Sequence, residues 1–272
     1  MGYLTASVQL IQYAIKGRKW DYMTVHRPSL ARLPSSVTIP LLAGHMKKNP
    51  VCPPEMQIIL IHNYDKISLA EKSLKYLGIN NYVVLRPETH GPWRHSIKLV
   101  TLKKFLESKQ SRCKYILYLD SADVILRADP QTILTYFQEQ NCDLLFSRTA
   151  FDVGYECMED IKAWSRNAAL KSGCSIPHLN AGVFIGRADF LDEVLDNALK
   201  YMSDNDLSYA ELSDLIRRGQ LCGRLPDFPK GIGDDQVILR YLYPQFYPRM
   251  KIDYQGKLSL RSTVSLFGKW FL

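Results

Sequence analysis

The stretch that decides the fold is YILYLDSADVIL, residues 115–126. Its first five residues form a continuous apolar run, which is typical of a parallel strand buried on both faces of a sheet. The run ends in Asp120, and Asp123 follows three residues later in a predicted turn. Because open α/β sheets bind ligands beyond the carboxyl ends of their strands, these carboxylates are candidate ligands of a hard divalent cation. The structural alternative is that Asp120 caps the turn and Asp123 is solvated.

Strands and helices alternate along the chain on both sides of this stretch. Apolar runs predict the strands, and apolar positions at helical spacing predict the helices between them. The predicted strands are 56–64, 82–87, 114–120 and 143–147, and the predicted helices are 68–77, 96–106 and 130–138. Such alternation predicts an α/β fold with a mostly parallel central sheet and helices on both faces.

We expect one domain over residues 56–272, preceded by an N-terminal extension over residues 1–55. Apolar spacing over 4–17 predicts that the extension begins with a helix docked on the domain. Beyond residue 150 the pattern is less regular. It predicts an excursion over 151–175, a strand over 179–186, a helix over 189–202, an irregular stretch to Gly233, a helix over 234–243, and a closing hairpin of MKIDYQ and KLSLRS.

The predicted strand LNAGVFIG, residues 179–186, carries polar and flexible residues within an apolar run. Gly182 and Gly186 interrupt the run, and glycine inside a strand marks close approach by a ligand or by another backbone. Asn180 offers both a hydrogen-bond donor and an acceptor at that point. Simple packing of the strand under a helix is the alternative interpretation.

Two adjacent carboxylates, Asp234 and Asp235, stand at the predicted start of a helix. They either cap that helix, or serve as acid/base or charge-stabilising groups of a reaction centre. We favour the second interpretation because Gly231 and Gly233 would let the chain approach a substrate closely. Asp235 is the stronger candidate of the two because Gln236 follows it. Replacing Asp235 by Asn is then expected to remove activity and to keep the melting temperature within a few degrees.

The composition excludes a disordered or fibrous chain, since 46% of the 272 residues are hydrophobic. No window approaches about 18 consecutive apolar residues, so we expect no membrane span. The net charge of +8 is concentrated at the ends, with +5 in residues 1–55 and +5 in residues 237–272. Basic ends suit a phosphate-bearing ligand, an anionic membrane or nucleic acid, or they are merely solvated. We expect no nucleic-acid partner, and we disfavour membrane contact.

The six cysteines show no CxxC pair and no regular spacing, which argues against a disulfide framework and a zinc site. We interpret them as reduced thiols, mostly buried. The start of the sequence has no basic segment followed by a cleavage site, as a secretory leader would have. Together these features predict a cytoplasmic protein. The cysteines are Cys52, Cys113, Cys142, Cys157, Cys174 and Cys222.

The order of the motifs, Asp-x-x-Asp after a strand, then Leu-Asn-x-Gly-x-Phe-Ile-Gly, then Asp-Asp-Gln, resembles a known family. It is similar to the GT-A glycosyltransferase domain of procollagen lysyl hydroxylase/glycosyltransferases and related bacterial and viral proteins, over about residues 56–262. The resemblance implies a GT-A-like fold and transfer of a hexose from a nucleotide-sugar, UDP-glucose or UDP-galactose, to an acceptor hydroxyl. It also implies Mn²⁺ or Mg²⁺ on the donor diphosphate and retention at the anomeric carbon. The acceptor stays open between a small molecule, a glycan and a protein side chain.

The resemblance further implies roles for individual residues. The residues expected to act at the sugar are Asp234, Asp235 and Asn180, and those expected to bind the metal are Asp120 and Asp123. The residues expected to bind the donor are His62, Asn63, Trp93, Lys98, Asp120, Gly182 and Gln236. For Trp93, stacking on the base, stacking on the acceptor and packing of a turn all remain open.

One departure from the family pattern concerns the metal. The family commonly supplies a further ligand, a histidine, near the C-terminal end, whereas no histidine follows His178 here. Asp253 or Gln255 would substitute, or the cation would keep an extra water.

Two alternative functions stay open. One is a nucleotidyltransferase acting on a sugar phosphate, although the loop HNYDKIS after the first strand has no glycine; the other is a catalytically inactive binding or scaffold protein.

Overall fold

The computed structural model describes residues 23–26, 34–88, 91–108, 113–261, 263–264 and 270–271. The helix predicted over 4–17 lies outside these residues. The described strands are β1 (Thr24–His26), β2 (Met56–Ile61), β3 (Tyr82–Leu85), β4 (Tyr115–Leu119), β5 (Val124–Leu126), β6 (Leu144–Thr149), β7 (His178–Arg187), β8 (Met250–Ile252), β9 (Leu260–Arg261), β10 (Thr263–Val264) and β11 (Trp270–Phe271). The described helices are α1 (Ser35–Ala43), α2 (Leu69–Leu77), α3 (Ile97–Glu107), α4 (Pro130–Glu139), α5 (Glu159–Lys171), α6 (Ala188–Ala198), α7 (Tyr209–Arg218), α8 (Leu221–Arg224) and α9 (Asp235–Phe246).

A six-stranded sheet in the order β3-β2-β4-β7-β6-β8 forms the centre of the fold. β7 runs antiparallel to its two neighbours, β4 and β6, and the other neighbouring pairs are parallel. The predicted α/β fold with a mostly parallel sheet is therefore confirmed. β5 follows β4 directly but leaves this sheet and pairs with β1 and, through β1, with β9.

Apolar side chains of the sheet pack on both faces, as the continuous apolar runs predicted. In β2, Ile58 and Leu60 belong to a core shared with α1, α2 and α4. Ile59 and Ile61 belong to the opposite core, which α3, α6 and α9 complete. Because successive side chains of a strand point to opposite faces, one strand contributes to both cores. The predicted helices on both faces are thus confirmed.

The described part of residues 1–55 packs into the first of these cores. Met23, Ile39 and Leu42 are buried there, and the Met23 carbonyl accepts a hydrogen bond from Arg127 N–H at 2.7 Å. Arg127 Nε–H also donates to the Leu42 carbonyl at 2.8 Å. The division of the chain at residue 55 stays a prediction, and the described residues before it are built into the same core as those after it.

Two predictions for the second half of the chain are wrong. MKIDYQ and KLSLRS do not form a hairpin, because β8 joins the central sheet beside β6, whereas β9 pairs with β1. The stretch expected to be irregular up to Gly233 contains α7 and α8. α7 has a capping box of Ser208 and Glu211 and buries one residue, Leu212. Leu212, Leu215 and Ile216 recur at helical spacing, so both the start signal and the apolar periodicity of this helix stood in the sequence.

The prediction of six reduced and mostly buried cysteines is also wrong. Cys157 and Cys222, which are 65 residues apart, form a disulfide. Of the four cysteines outside this disulfide, only Cys174 is buried, and the other three are half-buried. The disulfide joins the turn after β6 to α8. Two such distant segments meet only in the folded chain, so spacing along the sequence carries no sign of the pair.

Reduction of the Cys157–Cys222 disulfide is expected to lower the free energy of unfolding by about 2–4 kcal/mol, because the bond closes a long loop in the unfolded chain. Urea denaturation with and without dithiothreitol measures this difference. The Cys157→Ser/Cys222→Ser variant should show the same loss and no response to dithiothreitol. Cys52→Ser, a change at a free cysteine, is the control and should still respond. Coincident curves for the oxidised and reduced parent protein would refute the prediction.

Among the described residues, no helix combines the length and the apolar character that crossing a bilayer requires.

Candidate active site

A cleft of about 680 Å³ opens at the edge of the sheet where β2 and β4 end and the antiparallel β7 begins. This volume lies within the range of about 300–1,000 Å³ that small-molecule sites occupy. Ten of the eleven site residues predicted from the sequence line it: Asn63, Trp93, Lys98, Asp120, Asp123, Asn180, Gly182, Asp234, Asp235 and Gln236. The eleventh, His62, does not line it. Their assigned roles stay predictions, but they share one cavity.

A short chain of hydrogen bonds joins the end of β4 to the start of β7. The backbone N–H of Asp120 donates to the Gly182 carbonyl at 2.7 Å, and Gly182 N–H donates to Asn180 Oδ1 at 2.7 Å. This contact orients the Asn180 amide, whose Nδ2 is buried and has no hydrogen-bond partner within the described structure. A buried donor without a partner is costly. Because Asn180 lines the cleft, Nδ2 is available to a bound ligand.

The turn between β4 and β5 holds Asp120 and Asp123 at the cleft. Ser121 between them is buried; its hydroxyl donates to the Ile61 carbonyl at 3.2 Å, and its carbonyl accepts from Ala70 N–H at 3.2 Å. Two carboxylates on an anchored turn offer the oxygen ligands that Mn²⁺ and Mg²⁺ prefer. Within the described part of the chain, no group of three or more His, Cys, Asp or Glu is arranged to hold a metal. The donor set therefore fits an ion that completes its coordination from water and a ligand.

Asp253, suggested from the sequence as a replacement metal ligand, has a structural role instead. Its buried carboxylate accepts hydrogen bonds from the Tyr136 hydroxyl at 2.6 Å and from the N–H groups of Gly256 and Leu258 at 3.0 and 2.6 Å. Neither Asp253 nor the exposed Gln255 is among the residues that line the cleft. The carboxylate is committed to the turn that follows β8, so this suggestion is wrong.

Lys98 and Asp235 form an ion pair in the wall of the cleft. The Nζ–Oδ2 distance is 2.7 Å, and the side chains are only 9% and 8% exposed. Burial alone would lower the pKa of Lys98, but the negative charges of Asp235 and Asp120 raise it well above the ordinary value. Burial raises the pKa of Asp235, against the lowering effect of Lys98. The short contact and the raised pKa of Lys98 fit an ionised pair.

The adjacent carboxylates at the start of α9 have different surroundings. Asp234 is the N-cap, and its Oδ1 accepts from Val237 N–H at 2.9 Å. Asp235 is the first helical residue and pairs with Lys98 instead. Helix capping therefore explains Asp234 but does not explain Asp235. The expectation that Asp235→Asn keeps the melting temperature does not hold for a buried ion pair.

Gly233 approaches backbone rather than a substrate. It has a positive φ of 66°, and a Cβ there would lie 2.0 Å from the Leu207 carbonyl oxygen. Its own carbonyl accepts from Ser96 N–H at 3.0 Å. The glycine thus packs the segment before α9 against the segments before α7 and α3, which brings Asp234 and Asp235 to the cleft. Neither Gly231 nor Gly233 lines the cleft, so the substrate-approach argument for these glycines is wrong.

His62 lies behind the cleft wall. Its ring is 2% exposed, its Nε2 is 2.9 Å from Glu71 Oε2, and its Nδ1 accepts from Tyr64 N–H at 3.1 Å. Because Nδ1 is an acceptor, Nε2 carries the proton and donates to the carboxylate. Burial would raise the pKa of Glu71, but hydrogen bonds from Ser68 and His62 lower it overall. His62 therefore contacts a loop of the site rather than the cavity.

Several aromatic side chains in the lining were not predicted from the sequence: Tyr64, His95, Phe151 and Tyr209. His95 and Tyr209 meet edge to face at 5.0 Å, and Trp93 Nε1–H donates to His95 Nδ1 at 3.3 Å. Tyr64 follows the quoted His62 and Asn63 directly, so its position beyond a strand end was a usable signal. Tyr209 begins α7, whose polar sequence hid it, and Phe151 lies in the irregular excursion.

Arg240 holds the segment that carries Phe151 against the site. This fully buried residue of α9 donates hydrogen bonds to the carbonyls of Leu179, Val153 and Phe151 at 3.0, 2.5 and 2.8 Å. Leu179 precedes Asn180 in β7. One guanidinium therefore links three elements that line the cleft, in the planar, multi-donor geometry that lysine does not offer.

Comparison with known proteins supports one class for this chain. Residues 88–213 match the family model of the PLOD GT domain, the glycosyltransferase domain of procollagen lysyl hydroxylases. The matched segment is just under half of the chain; it contains Asp120, Asp123 and Asn180 and ends before Asp235. No curated protein sequence matches the chain.

The match confirms the resemblance inferred from the motifs, and the sheet and its helices agree with a GT-A-like fold. The fold, the cleft and this match support a glycosyltransferase, a class that binds a sugar donor and an acceptor.

Proposed function

We propose that this chain transfers a hexose from a nucleotide-sugar, UDP-glucose or UDP-galactose, to an acceptor hydroxyl with the help of a divalent cation. One observation carries the proposal. Asp120, Asp123, Asn180 and the Lys98–Asp235 pair converge on one cleft at the sheet edge, in a chain that matches a glycosyltransferase family model. Retention of the anomeric configuration is part of the proposal through the family resemblance.

The charge of the cleft supports a role for the cation. Four aspartates and one lysine line it, so it is acidic and repels a nucleotide diphosphate. Asp120 and Asp123 would hold Mn²⁺ or Mg²⁺, and such an ion neutralises charge on a departing diphosphate. The acidic lining thus disfavours donor binding without metal and favours it with metal.

The other residues of the cleft bind the donor sugar and orient it against the acceptor. Asn180 Nδ2 donates a hydrogen bond to a hydroxyl of the donor sugar, which satisfies the buried amide. Lys98 fixes the Asp235 carboxylate at the cleft, where it stabilises positive charge that develops on the sugar. Gln236 accepts from Ala181 N–H at 3.3 Å and keeps α9 against β7. The acceptor hydroxyl is oriented against the anomeric carbon in the remaining space.

Calorimetric titration with UDP, with and without MnCl₂, tests the donor class. We expect UDP to bind at least about tenfold more tightly when Mn²⁺ is present, because the ion replaces charge repulsion by attraction. GDP and ADP serve as comparisons. If the parent protein binds no nucleoside diphosphate in manganese, the proposal fails.

A nucleotidyltransferase acting on a sugar phosphate is the second candidate function. It shares the sheet and the metal-binding carboxylates, but the loop after β2 has no glycine to accommodate a triphosphate. Incubation with nucleoside triphosphates and sugar phosphates should therefore release no pyrophosphate. An inactive scaffold protein would bind UDP but would not cleave a UDP-sugar to produce it.

A cytoplasmic location stays a prediction, and it requires that Cys157 and Cys222 be reduced in the cell, since disulfides are rare in the cytosol. Alkylation of free thiols before extraction distinguishes the reduced pair from the disulfide. An oxidised pair would place the protein in an oxidising compartment.

A further inference from the structure

We propose that the Cys157–Cys222 disulfide positions one wall of the cleft, and that a dithiol which reduces it releases this wall. The wall is residues 209–224, which comprise α7, α8 and the two residues between them, and we call it the α7–α8 wall. It begins with Tyr209, which lines the cleft. The inference goes beyond the proposed function and rests on it only for the measurement of a reaction rate.

The segment that carries Cys157 is firmly anchored to the rest of the domain. Tyr155, two residues earlier, is fully buried, and its ring packs on the ring of His178 at the start of β7 with a centroid distance of 4.6 Å. Gly154 has a positive φ of 85°, and a Cβ there would lie 2.7 Å from Val237 Cγ2 in α9. Cys157 is therefore fixed to the helix whose first residue lines the cleft.

The α7–α8 wall packs on the domain through few apolar side chains. Leu212 and Leu221 are buried, whereas Leu215 and Ile216 are half-buried against the same core. Elements with few buried apolar contacts open locally at a lower free energy than core elements do. Because Cys222 lies in α8, the disulfide joins this weakly packed wall to the anchored segment.

The first residue of the wall supports the side of the cleft that adjoins Asp235. Tyr209 N–H donates to the Trp93 carbonyl at 3.1 Å, and its ring meets the ring of His95 edge to face at 5.0 Å. His95 in turn lies within electrostatic reach of Asp235. Displacement of α7 therefore loosens groups beside this carboxylate. The turn between β4 and β5, to which the metal is assigned, is anchored separately on β2.

The disulfide is open to reductants from solution, because Cys222 is exposed. A thiolate of the dithiol attacks Cys222 Sγ, so the S–S bond breaks and Cys157 leaves as a thiolate. The second thiolate of the dithiol then displaces Cys222 and closes the reductant into a disulfide. Two electrons and two protons have passed to the cysteines, which become thiols. The α7–α8 wall thereby loses its covalent link to the segment that carries Phe151 and Val153, which also line the cleft.

Trypsin digestion detects release of the wall without any ligand, because a protease cuts a helix only where it opens. The trypsin sites of the wall are Arg217, Arg218 and Arg224. In the Cys157→Ser/Cys222→Ser variant the first cut should fall at these sites, at least about tenfold faster than in the parent protein. Cys52→Ser is the control and should be cut as the parent is. First cuts spread along the chain, or an unchanged rate at these sites, would overturn the inference.

Release of UDP from a UDP-sugar without an acceptor measures the effect on the reaction, at a temperature at which circular dichroism shows each protein to be folded. The double cysteine variant, and the parent reduced with dithiothreitol, should release UDP about 10- to 100-fold more slowly, because groups beside Asp235 lose their positions. Reoxidation of the reduced parent should restore the rate. The affinity for UDP in MnCl₂, measured by calorimetry, should stay unchanged, since the turn assigned to the metal is anchored separately.

Tyr209→Ala tests whether the disulfide acts through the wall. Alone it should slow the release of UDP, and added to the double cysteine variant it should cause little further loss, because both changes disturb the same contact. Losses that multiply, an unchanged rate in the double cysteine variant, or an equal loss of UDP affinity would overturn the inference and leave the proposed function standing. A parent protein that neither binds nor releases UDP overturns the proposed function, and the trypsin sites then decide the inference alone.

Discussion

Asp235→Asn is expected to lower the turnover of sugar transfer by about 10²–10³-fold, the usual effect of removing one preorganised electrostatic group from an active site. It is also expected to lower the free energy of unfolding by about 3–5 kcal/mol, because it leaves the Lys98 ammonium buried without its carboxylate. Urea denaturation and single-turnover assays at saturating donor measure the two effects separately.

Two further variants separate the stability effect of Asp235 from its effect on chemistry. In Lys98→Met/Asp235→Leu both charges are gone, so most of the lost stability should return while turnover stays low. Asp234→Asn is the matched control at the neighbouring residue, and it should keep parent stability because Asn caps a helix about as well as Asp. If the Asp235→Asn variant retains the turnover of the parent protein, the Asp235 carboxylate has a purely structural role.

Asp120→Asn and Asp123→Asn are each expected to abolish most of the gain in UDP affinity that Mn²⁺ provides, and to lower turnover by about 10²–10³-fold. Each change removes one anionic oxygen donor from a site with two carboxylates and retains the shape of the side chain. Without metal, the same variants should bind UDP no worse than the parent, because the cleft has lost negative charge.

Calorimetry with UDP, with and without MnCl₂, measures this gain in each variant. Asp204→Asn, at an exposed aspartate outside the cleft, is the control and should keep the full gain. If both variants respond to Mn²⁺ as the parent does, the metal is bound elsewhere and the assignment of Asp120 and Asp123 is refuted.

The sheet was predictable because its strands are buried on both faces, which produces unbroken apolar runs such as Met56–Ile61 and Tyr115–Leu119. The direction of β7 was not predictable, because a buried strand reads alike in either direction. α7 was missed although Leu212, Leu215 and Ile216 recur at helical spacing, because these few apolar residues stand in a mainly polar stretch. Strand ends place Asp120 and Asn63 at the sheet edge, so much of the site followed from the same pattern.

What the sequence left open depends on contacts between distant residues. Lys98 was expected to approach the donor. Its pairing with Asp235, which is far away along the sequence, appears only in the folded chain. His62 was expected to contact the nucleotide, and the structure instead turns its ring toward Glu71. No local pattern distinguishes these arrangements, because a buried charge or ring finds its partner through tertiary packing.

The central claim, that the cleft uses a nucleotide-sugar with a divalent cation, is tested most directly by release of UDP from UDP-glucose and UDP-galactose without an acceptor. Water then replaces the acceptor hydroxyl, so the assay needs no knowledge of the acceptor. The parent protein with MnCl₂ should release UDP from one of the two donors, and both EDTA and the Asp120→Asn/Asp123→Asn variant should suppress the release. If neither donor releases UDP in manganese, or if the double variant releases as much UDP as the parent protein, the account is contradicted.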